Sequence, residues 1–172
     1  MIELQQNDMN CECSKYEPLE LYRKAISKRI RQTKTLKRKL ETIAEHGKGE
    51  HMLLKCSSCG QFWQSSHAWN WGNNEYLFQV PLIQIDEWLT EPYMQPDELL
   101  IYSAVMQRYM DNNTFVETER KCRVEACVDR AVELTVFCRE HHITSLQNAG
   151  ALSKEPKGRL FPPYYEDTSD KV

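Results

Sequence analysis

The chain has 172 residues, of which 41% are hydrophobic and 27% charged, and a formal net charge of −3; this composition is too apolar for a fully disordered protein. No run approaches the roughly 18 apolar residues of a membrane span, and no signal-peptide core precedes the rest, so we expect a cytoplasmic protein without a membrane partner. The seven cysteines are an odd number, which argues against a disulfide framework and favours metal binding.

Two short-spaced cysteine pairs predict the first metal site. Cys56 and Cys59 enclose two residues and precede Gly60, a spacing typical of a zinc knuckle, in which two thiolates turn towards one ion and the glycine takes a positive φ. Cys11 and Cys13 would supply the other two ligands of a tetrahedral ion. The alternatives are a redox pair at Cys56 and Cys59, and a flexible CxC motif that binds nothing.

A long amphipathic helix is predicted over residues 18–45, where no glycine occurs and apolar residues recur at three- and four-residue steps. We expect it to end near Gly47. Between Leu21 and Leu40 it carries no acid and nine basic residues: Arg23, Lys24, Lys28, Arg29, Arg31, Lys34, Lys37, Arg38 and Lys39. The other 13 basic residues stand against 25 acidic ones, so the rest of the chain has a net charge of −12.

The basic face of this helix suits a nucleic acid, because lysine and arginine neutralise phosphates. The candidates for that role are Arg23, Lys24, Lys28, Arg31, Lys34, Lys37 and Arg38. The same basic residues could instead be exposed to solvent, or contact an acidic surface of this protein or of a partner. Since the acidic remainder repels a long polyanion, nucleic-acid binding is the alternative function. The apolar stripe is too short to favour a coiled-coil dimer, so we expect a free monomer.

The aromatic middle of the chain predicts a small antiparallel sheet that extends from the knuckle. Residues 53–55 enter the knuckle, residues 62–63 return from it, and residues 75–80 form a further strand after a turn at 72–74. Trp63, Trp69 and Trp71 are expected in the core of this sheet, in preference to a base-stacking platform. Residues 82–89 are expected to form a short strand and turn. A second helix begins at Pro96 and runs to Met110.

The second set of predicted metal ligands is Cys122, Cys127, Cys138 and His141. Residues 131–137 alternate as in a hairpin strand, and the pattern turns helical from Cys138, so that two ligands share one helix face. This order of knuckle, hairpin and ligand-bearing helix resembles a short treble-clef zinc finger over residues 120–148. His142 is the alternative to His141, because packing decides which of the two faces the ion.

These elements together predict an α+β fold in three parts. Residues 1–118 form a zinc-ribbon-like domain with the sheet and both helices, residues 119–150 form the treble-clef-like module, and residues 151–172 form an extended or disordered arm. Segment 160–165 of the arm either docks a partner or wraps the domain. Seven cysteines and one histidine make eight ligands, enough for two structural Zn²⁺ ions.

No motif in the sequence predicts catalysis. The GxSxG, P-loop, HExxH and GxGxxG patterns are missing. A catalytic zinc keeps one position for water, whereas both predicted sites are filled by protein ligands. We therefore expect a protein that is not an enzyme.

The run from Cys56 to Trp63, followed by the run from Trp71 to Phe78, resembles small bacterial immunity proteins that are encoded beside secreted toxins. The resemblance implies a cytoplasmic protein that binds and occludes one toxin domain. The acidic remainder fits this role, because complementary charge speeds the capture of a basic partner. The expected contact surface combines acids with aromatic anchors: Asp86, Glu87, Trp88, Glu91, Tyr93, Asp97 and Glu98. The alternative is an ordinary solvated loop.

Overall fold

The computed structural model describes residues 11–164. These residues form two compact units: a first unit of residues 11–98 and 157–164, and a second unit of residues 99–156. The division differs from the predicted boundary after residue 118. The outer ends of the predicted first domain and of the predicted arm, residues 1–10 and 165–172, lie outside the described residues.

A four-stranded antiparallel sheet forms the centre of the first unit. Its strands follow one another in chain order: β1 (Leu40–His46), β2 (His51–Cys56), β3 (Phe62–Ala68) and β4 (Asn74–Val80). The knuckle joins β2 to β3, and a turn through Trp69–Trp71 and Gly72, which has φ of 70°, joins β3 to β4. The predicted antiparallel sheet is therefore present and has one more strand than the sequence suggested.

The extra strand comes from the end of the predicted long helix, so the predicted bounds of this helix, 18–45, were wrong. Helix α1 spans only Arg23–Lys37, and β1 pairs with β2 from Leu40 opposite Cys56 to His46 opposite His51. Leu40 and Ile43 continue the helical spacing of apolar residues, which misled the prediction. The backbone groups of residues 40–46 bond instead to β2, and the β-branched side chains of this segment suit a strand.

Helix α1 covers one face of the sheet. Its side chains Ile26, Thr33 and Leu36 are buried, and Leu36 shares a core cluster with Trp63 and Leu77. Thr33 also bonds the backbone of β4, because its hydroxyl accepts a hydrogen bond from the Leu77 N–H at 3.2 Å. The helix thus protects an edge strand whose backbone groups would otherwise be open to pairing.

Arg29 belongs to this buried face, contrary to its expected place on the basic face. Only 5% of its surface is exposed, and burial lowers the pKa of its guanidinium. The guanidinium donates hydrogen bonds to the carbonyl oxygens of Leu77 at 3.0 Å and Glu17 at 2.8 Å. A cation buried in this way is held by hydrogen bonds and cannot contact an external phosphate.

The other face of the sheet is covered by helix α2 and by the chain after residue 157. Helix α2 spans Ile85–Thr90, where the sequence predicted a strand and turn. Phe161 is buried, stacks on Phe78 with ring centroids 6.1 Å apart and meets Tyr93 edge-on at 4.9 Å. The described part of segment 160–165 therefore wraps the first unit; Tyr165 lies outside the described residues.

The second unit consists of two helices and a two-stranded sheet. Most of helix α3 (Pro96–Asp111), which the sequence predicted, lies in it, followed by β5 (Glu117–Lys121), β6 (Arg130–Val132) and helix α4 (Arg139–Asn148). Strands β5 and β6 pair antiparallel. The strand predicted over 131–137 ends at Val132, because the chain then turns and the Val132 N–H bonds the Phe137 carbonyl at 2.9 Å.

Candidate metal centres

The first cluster brings the two predicted cysteine pairs of the first unit together. The sulfur atoms of Cys11, Cys13, Cys56 and Cys59 all lie within 4.8 Å of one another. Cys11 Sγ lies 3.6 Å from Cys56 Sγ and 3.2 Å from Cys59 Sγ. All seven cysteines are free thiols. Four sulfur atoms gathered around one point form the donor set of a tetrahedral metal site.

The local backbone of the knuckle explains why the cysteines turn inward. The Gly60 N–H bonds the Cys56 carbonyl at 2.9 Å, and the Cys56 N–H bonds the Gln61 carbonyl at 2.9 Å. Gly60 has φ of +76°, the positive value that the sequence predicted. A side chain at this position would have room, since a Cβ would meet only the Lys55 side chain at 3.8 Å. The backbone conformation is therefore what favours glycine here.

This cluster is part of the hydrophobic core of the first unit. Cys13 and Cys56 are buried and pack in one cluster with Leu36, Leu54, Trp63 and Leu77. The Gln79 side chain holds the CxC segment against the sheet, because its amide donates to the Cys13 carbonyl at 3.0 Å. An ion at this position would tie residues 11–13 to the end of β2 in the middle of the core.

The second cluster lies in the second unit, between the β5–β6 hairpin and α4. Its donors are the sulfur atoms of Cys122, Cys127 and Cys138 and the Nδ1 atom of His141, all within 4.8 Å of one another. His141 Nδ1 lies 3.1 Å from Cys138 Sγ and 3.4 Å from Cys122 Sγ. Cys138 is the residue before the first turn of α4. The structure therefore places His141, and not His142, among the donors.

Backbone N–H groups favour a thiolate in each cluster. Burial raises the pKa of Cys56, but two N–H groups of the knuckle, together with the thiols of Cys11 and Cys13, outweigh it and lower the pKa to about 7. Desolvation is likewise outweighed at Cys122, where two backbone N–H groups, together with the side chains of Cys127 and His141, lower the pKa to about 7. Burial and the neighbouring thiols raise the pKa of Cys13. Several thiolates at such distances need a cation between them, so both donor sets fit a divalent metal ion.

The donor atoms indicate which metal ions each cluster can bind. Sets of four sulfurs, and of three sulfurs with one imidazole nitrogen, suit soft or borderline ions in tetrahedral geometry. Each set has four protein ligands, the number that closes such a site to substrate and to water. The two clusters are thus compatible with the binding of two metal ions.

Some of the predicted partner-binding residues are buried and the others are exposed. Trp88, Tyr93 and Asp97 are buried, so the prediction that they contact a partner was wrong. Tyr76 holds Asp97, because its hydroxyl donates to the carboxylate at 2.5 Å. The remaining acids are exposed: Asp86, Glu87, Glu91 and Glu98.

Three exposed aliphatic residues beside these acids were missed by the sequence reasoning. Leu82 is 79% exposed, Ile85 42% and Leu89 39%. Their spacing of three and four residues is the signal that could have revealed them, since it places Ile85 and Leu89 on one face of α2. The prediction of a strand over this segment concealed that spacing.

The predicted nucleic-acid-binding residues are mostly on the surface. Six are exposed: Arg23, Lys24, Lys28, Arg31, Lys34 and Arg38. Lys37 is half-buried and pairs with Glu75 at 2.5 Å. Of the tryptophans expected in the core, Trp63 is buried, whereas Trp69 is 76% exposed, so the expectation was wrong for Trp69.

Within residues 11–164, no helix has the length and hydrophobicity needed to cross a bilayer. No protein-family model, curated protein or solved structure matches the chain.

Proposed function

We propose that this protein is a non-catalytic binding protein, stabilised by two zinc ions, that neutralises a cognate toxin in the manner of a bacterial immunity protein. The proposal has two parts, the metal that stabilises the molecule and the surface that binds the partner. The resemblance of the knuckle region to immunity proteins supports the second part.

Zinc is the ion that best suits both clusters. It binds thiolate and imidazole in tetrahedral geometry and is not redox-active, so a closed site of four protein ligands makes it structural. Free thiolate ligands persist in a reducing compartment, which supports action in the cytoplasm. Neither cluster leaves a ligand position for water, which supports a role without catalysis.

The exposed surface around α2 is the observation that best supports a binding function. This surface, here called the α2 surface, consists of Leu82, Ile85, Asp86, Glu87, Leu89 and Glu91. Its three aliphatic side chains are exposed, and the three acids that border them are exposed too. Exposed apolar groups rimmed by charge are typical of a protein-binding surface. The rim keeps a net negative charge although Arg159 pairs with Glu87 and Glu91, and this charge favours a partner with a basic surface, such as a toxin that acts on nucleic acid.

The residues beneath this surface hold it in a fixed conformation. Trp88 anchors α2 from below, because its indole N–H donates to Gln64 Oε1 at 2.8 Å. Arg159 pairs with Glu87 at 2.9 Å, and the Arg159 N–H bonds the Pro92 carbonyl at 2.9 Å. A surface that is already ordered loses little conformational entropy on binding. Trp88 therefore supports the contact surface without being part of it.

The test is direct binding between this protein and the product of the adjacent gene, measured by calorimetry and by rescue of growth in co-expression. We expect Asp86→Lys and the double variant Ile85→Ser/Leu89→Ser each to weaken binding by about tenfold or more and to abolish rescue. Glu155→Lys is the matched control, since Glu155 is exposed and lies outside the α2 surface. Unchanged affinity in both α2 variants, or no binding by the unaltered protein, would contradict the proposal.

A further inference from the structure

A second surface of the first unit concentrates positive charge on one side of α1. The term basic face is used below for six exposed residues: Arg23, Lys24, Lys28, Arg31, Lys34 and Arg38. At 100° per residue they occupy an arc of about 140°, opposite the buried side chains of the helix. Among the residues that the structure describes, none of the six forms an ion pair. Acidic side chains of the described residues therefore leave the positive charge of the basic face unneutralised.

The concentration of positive charge on one side of α1 destabilises this helix. Like charges four residues apart, as at Lys24 and Lys28 or at Lys34 and Arg38, repel each other. The first turn of α1 holds no acid that would favour the helix dipole. An anionic ligand would relieve this repulsion along the whole helix, which is about 22 Å long.

The turn between β3 and β4 packs against the N-terminal end of the basic face. The turn Trp69–Trp71 is fixed to α1 at two points: the Trp71 indole N–H donates to Ser27 Oγ at 3.1 Å, and the Arg23 guanidinium lies 4.8 Å from the centre of the Trp71 ring. Trp69, in the same turn, is exposed. An exposed tryptophan in a turn that is fixed to a cationic helix can stack an unpaired base while the cations of the helix neutralise phosphates.

A groove of about 510 Å³ continues the basic face at its C-terminal end. Ile30 and Thr33 contribute aliphatic groups to it, and Lys34 and Arg38 contribute cations. Its one acid, Glu75, is neutralised by Lys37 at 2.5 Å. A groove with an apolar part and a cationic part suits a base or sugar with its phosphate.

We propose that the basic face, Trp69 and this groove together bind single-stranded nucleic acid. A lipid surface fits less well, because the apolar side chains Ile26 and Leu36 face the sheet and leave no apolar face on α1 to insert into a membrane. The proposal uses no residue of the α2 surface and does not rest on the proposed function.

The test is fluorescence anisotropy of the full zinc-loaded chain with labelled 20-nucleotide dT and rU strands, over a salt series. Six phosphate contacts predict a slope of log K against log salt of about −4. We expect Lys28→Ala/Arg31→Ala/Lys34→Ala to weaken binding by at least about tenfold and to reduce the slope by about 2. The control Arg108→Ala/Lys154→Ala/Lys157→Ala removes the same charge from exposed positions elsewhere and should leave the slope unchanged.

The contribution of the aromatic group is tested separately. Trp69→Ala should weaken binding between about 5-fold and 100-fold, and Trp69→Phe should retain most of it. Melting curves of each variant establish that the fold persists. No binding of either strand by the unaltered chain, equal weakening by both triple variants, or equal or tighter binding to a DNA duplex or to vesicles containing phosphatidylserine would overturn the proposal.

Discussion

Gln64 is a single buried polar residue whose side chain joins two segments, those of Trp88 and Tyr93, to the sheet. Its Oε1 atom accepts hydrogen bonds from the Trp88 indole at 2.8 Å and from the Tyr93 N–H at 2.9 Å, and its Nε2 atom donates to the Tyr93 carbonyl at 2.7 Å. Buried amides of this kind stabilise a fold only while all their partners remain. Gln64 therefore secures both α2 and the strand-like segment after it.

We predict that Gln64→Leu lowers the free energy of unfolding of the first unit by about 3 kcal/mol, because it leaves the Trp88 and Tyr93 groups buried without partners. All four tryptophans lie in the first unit, so urea unfolding followed by tryptophan fluorescence reports on this unit alone. The exposed Gln84→Leu is the matched control and should change the free energy of unfolding little. If both variants lowered the free energy of unfolding equally, the hydrogen bonds of Gln64 would not be what stabilises the first unit.

The elements of the molecule differ in how far local sequence determines them. The knuckle was predicted in detail, because the spacing of Cys56, Cys59 and Gly60 is itself the constraint. The boundary between α1 and β1 was not predictable in this way. The spacing of Leu36, Leu40 and Ile43 fits a helix, and only the pairing with β2, a non-local interaction, makes residues 40–46 a strand.

The conformation of the knuckle leads to a prediction about Gly60. Gly60→Ala should lower the free energy of unfolding of the first unit by about 1–2 kcal/mol, because alanine is strained at φ of +76°. Gly60→Asn should lower it less, because asparagine tolerates the left-handed region. The comparison uses the same fluorescence-detected urea unfolding. An alanine variant as stable as the asparagine variant would contradict the conformational explanation.

At the scale of the whole molecule, the two candidate metal clusters make up different shares of the cores of their units. The buried hydrophobic residues of the second unit are Cys122, Ala131, Val132 and Cys138, and two of them belong to the candidate metal cluster. In the first unit the cluster adds to a larger core around Trp63 and Leu77. The binding energy of a metal ion would therefore be a larger share of the folding energy in the second unit.

The sequence predicted the two clusters better than the surfaces around them. The seven cysteine donors were predicted from cysteine spacing, since ligand geometry restricts which residues can share an ion. Whether His141 or His142 faced the cluster was left open, because that depends on packing. Burial of Trp88, Tyr93 and Asp97 was missed for the same reason, since the covering of a sheet face by α2 and the segment around Phe161 involves residues far apart in sequence.

We propose that the chain holds two zinc ions in two closed sites, and native mass spectrometry of the intact protein tests this most directly. We expect a mass increase equal to two zinc ions on the unaltered chain and on His142→Ala, and weakened or lost occupancy of one ion on His141→Ala, because only His141 Nδ1 lies among the donors of the second cluster. A chain that carries one ion or none, or that loses an ion through His142→Ala, would contradict the account.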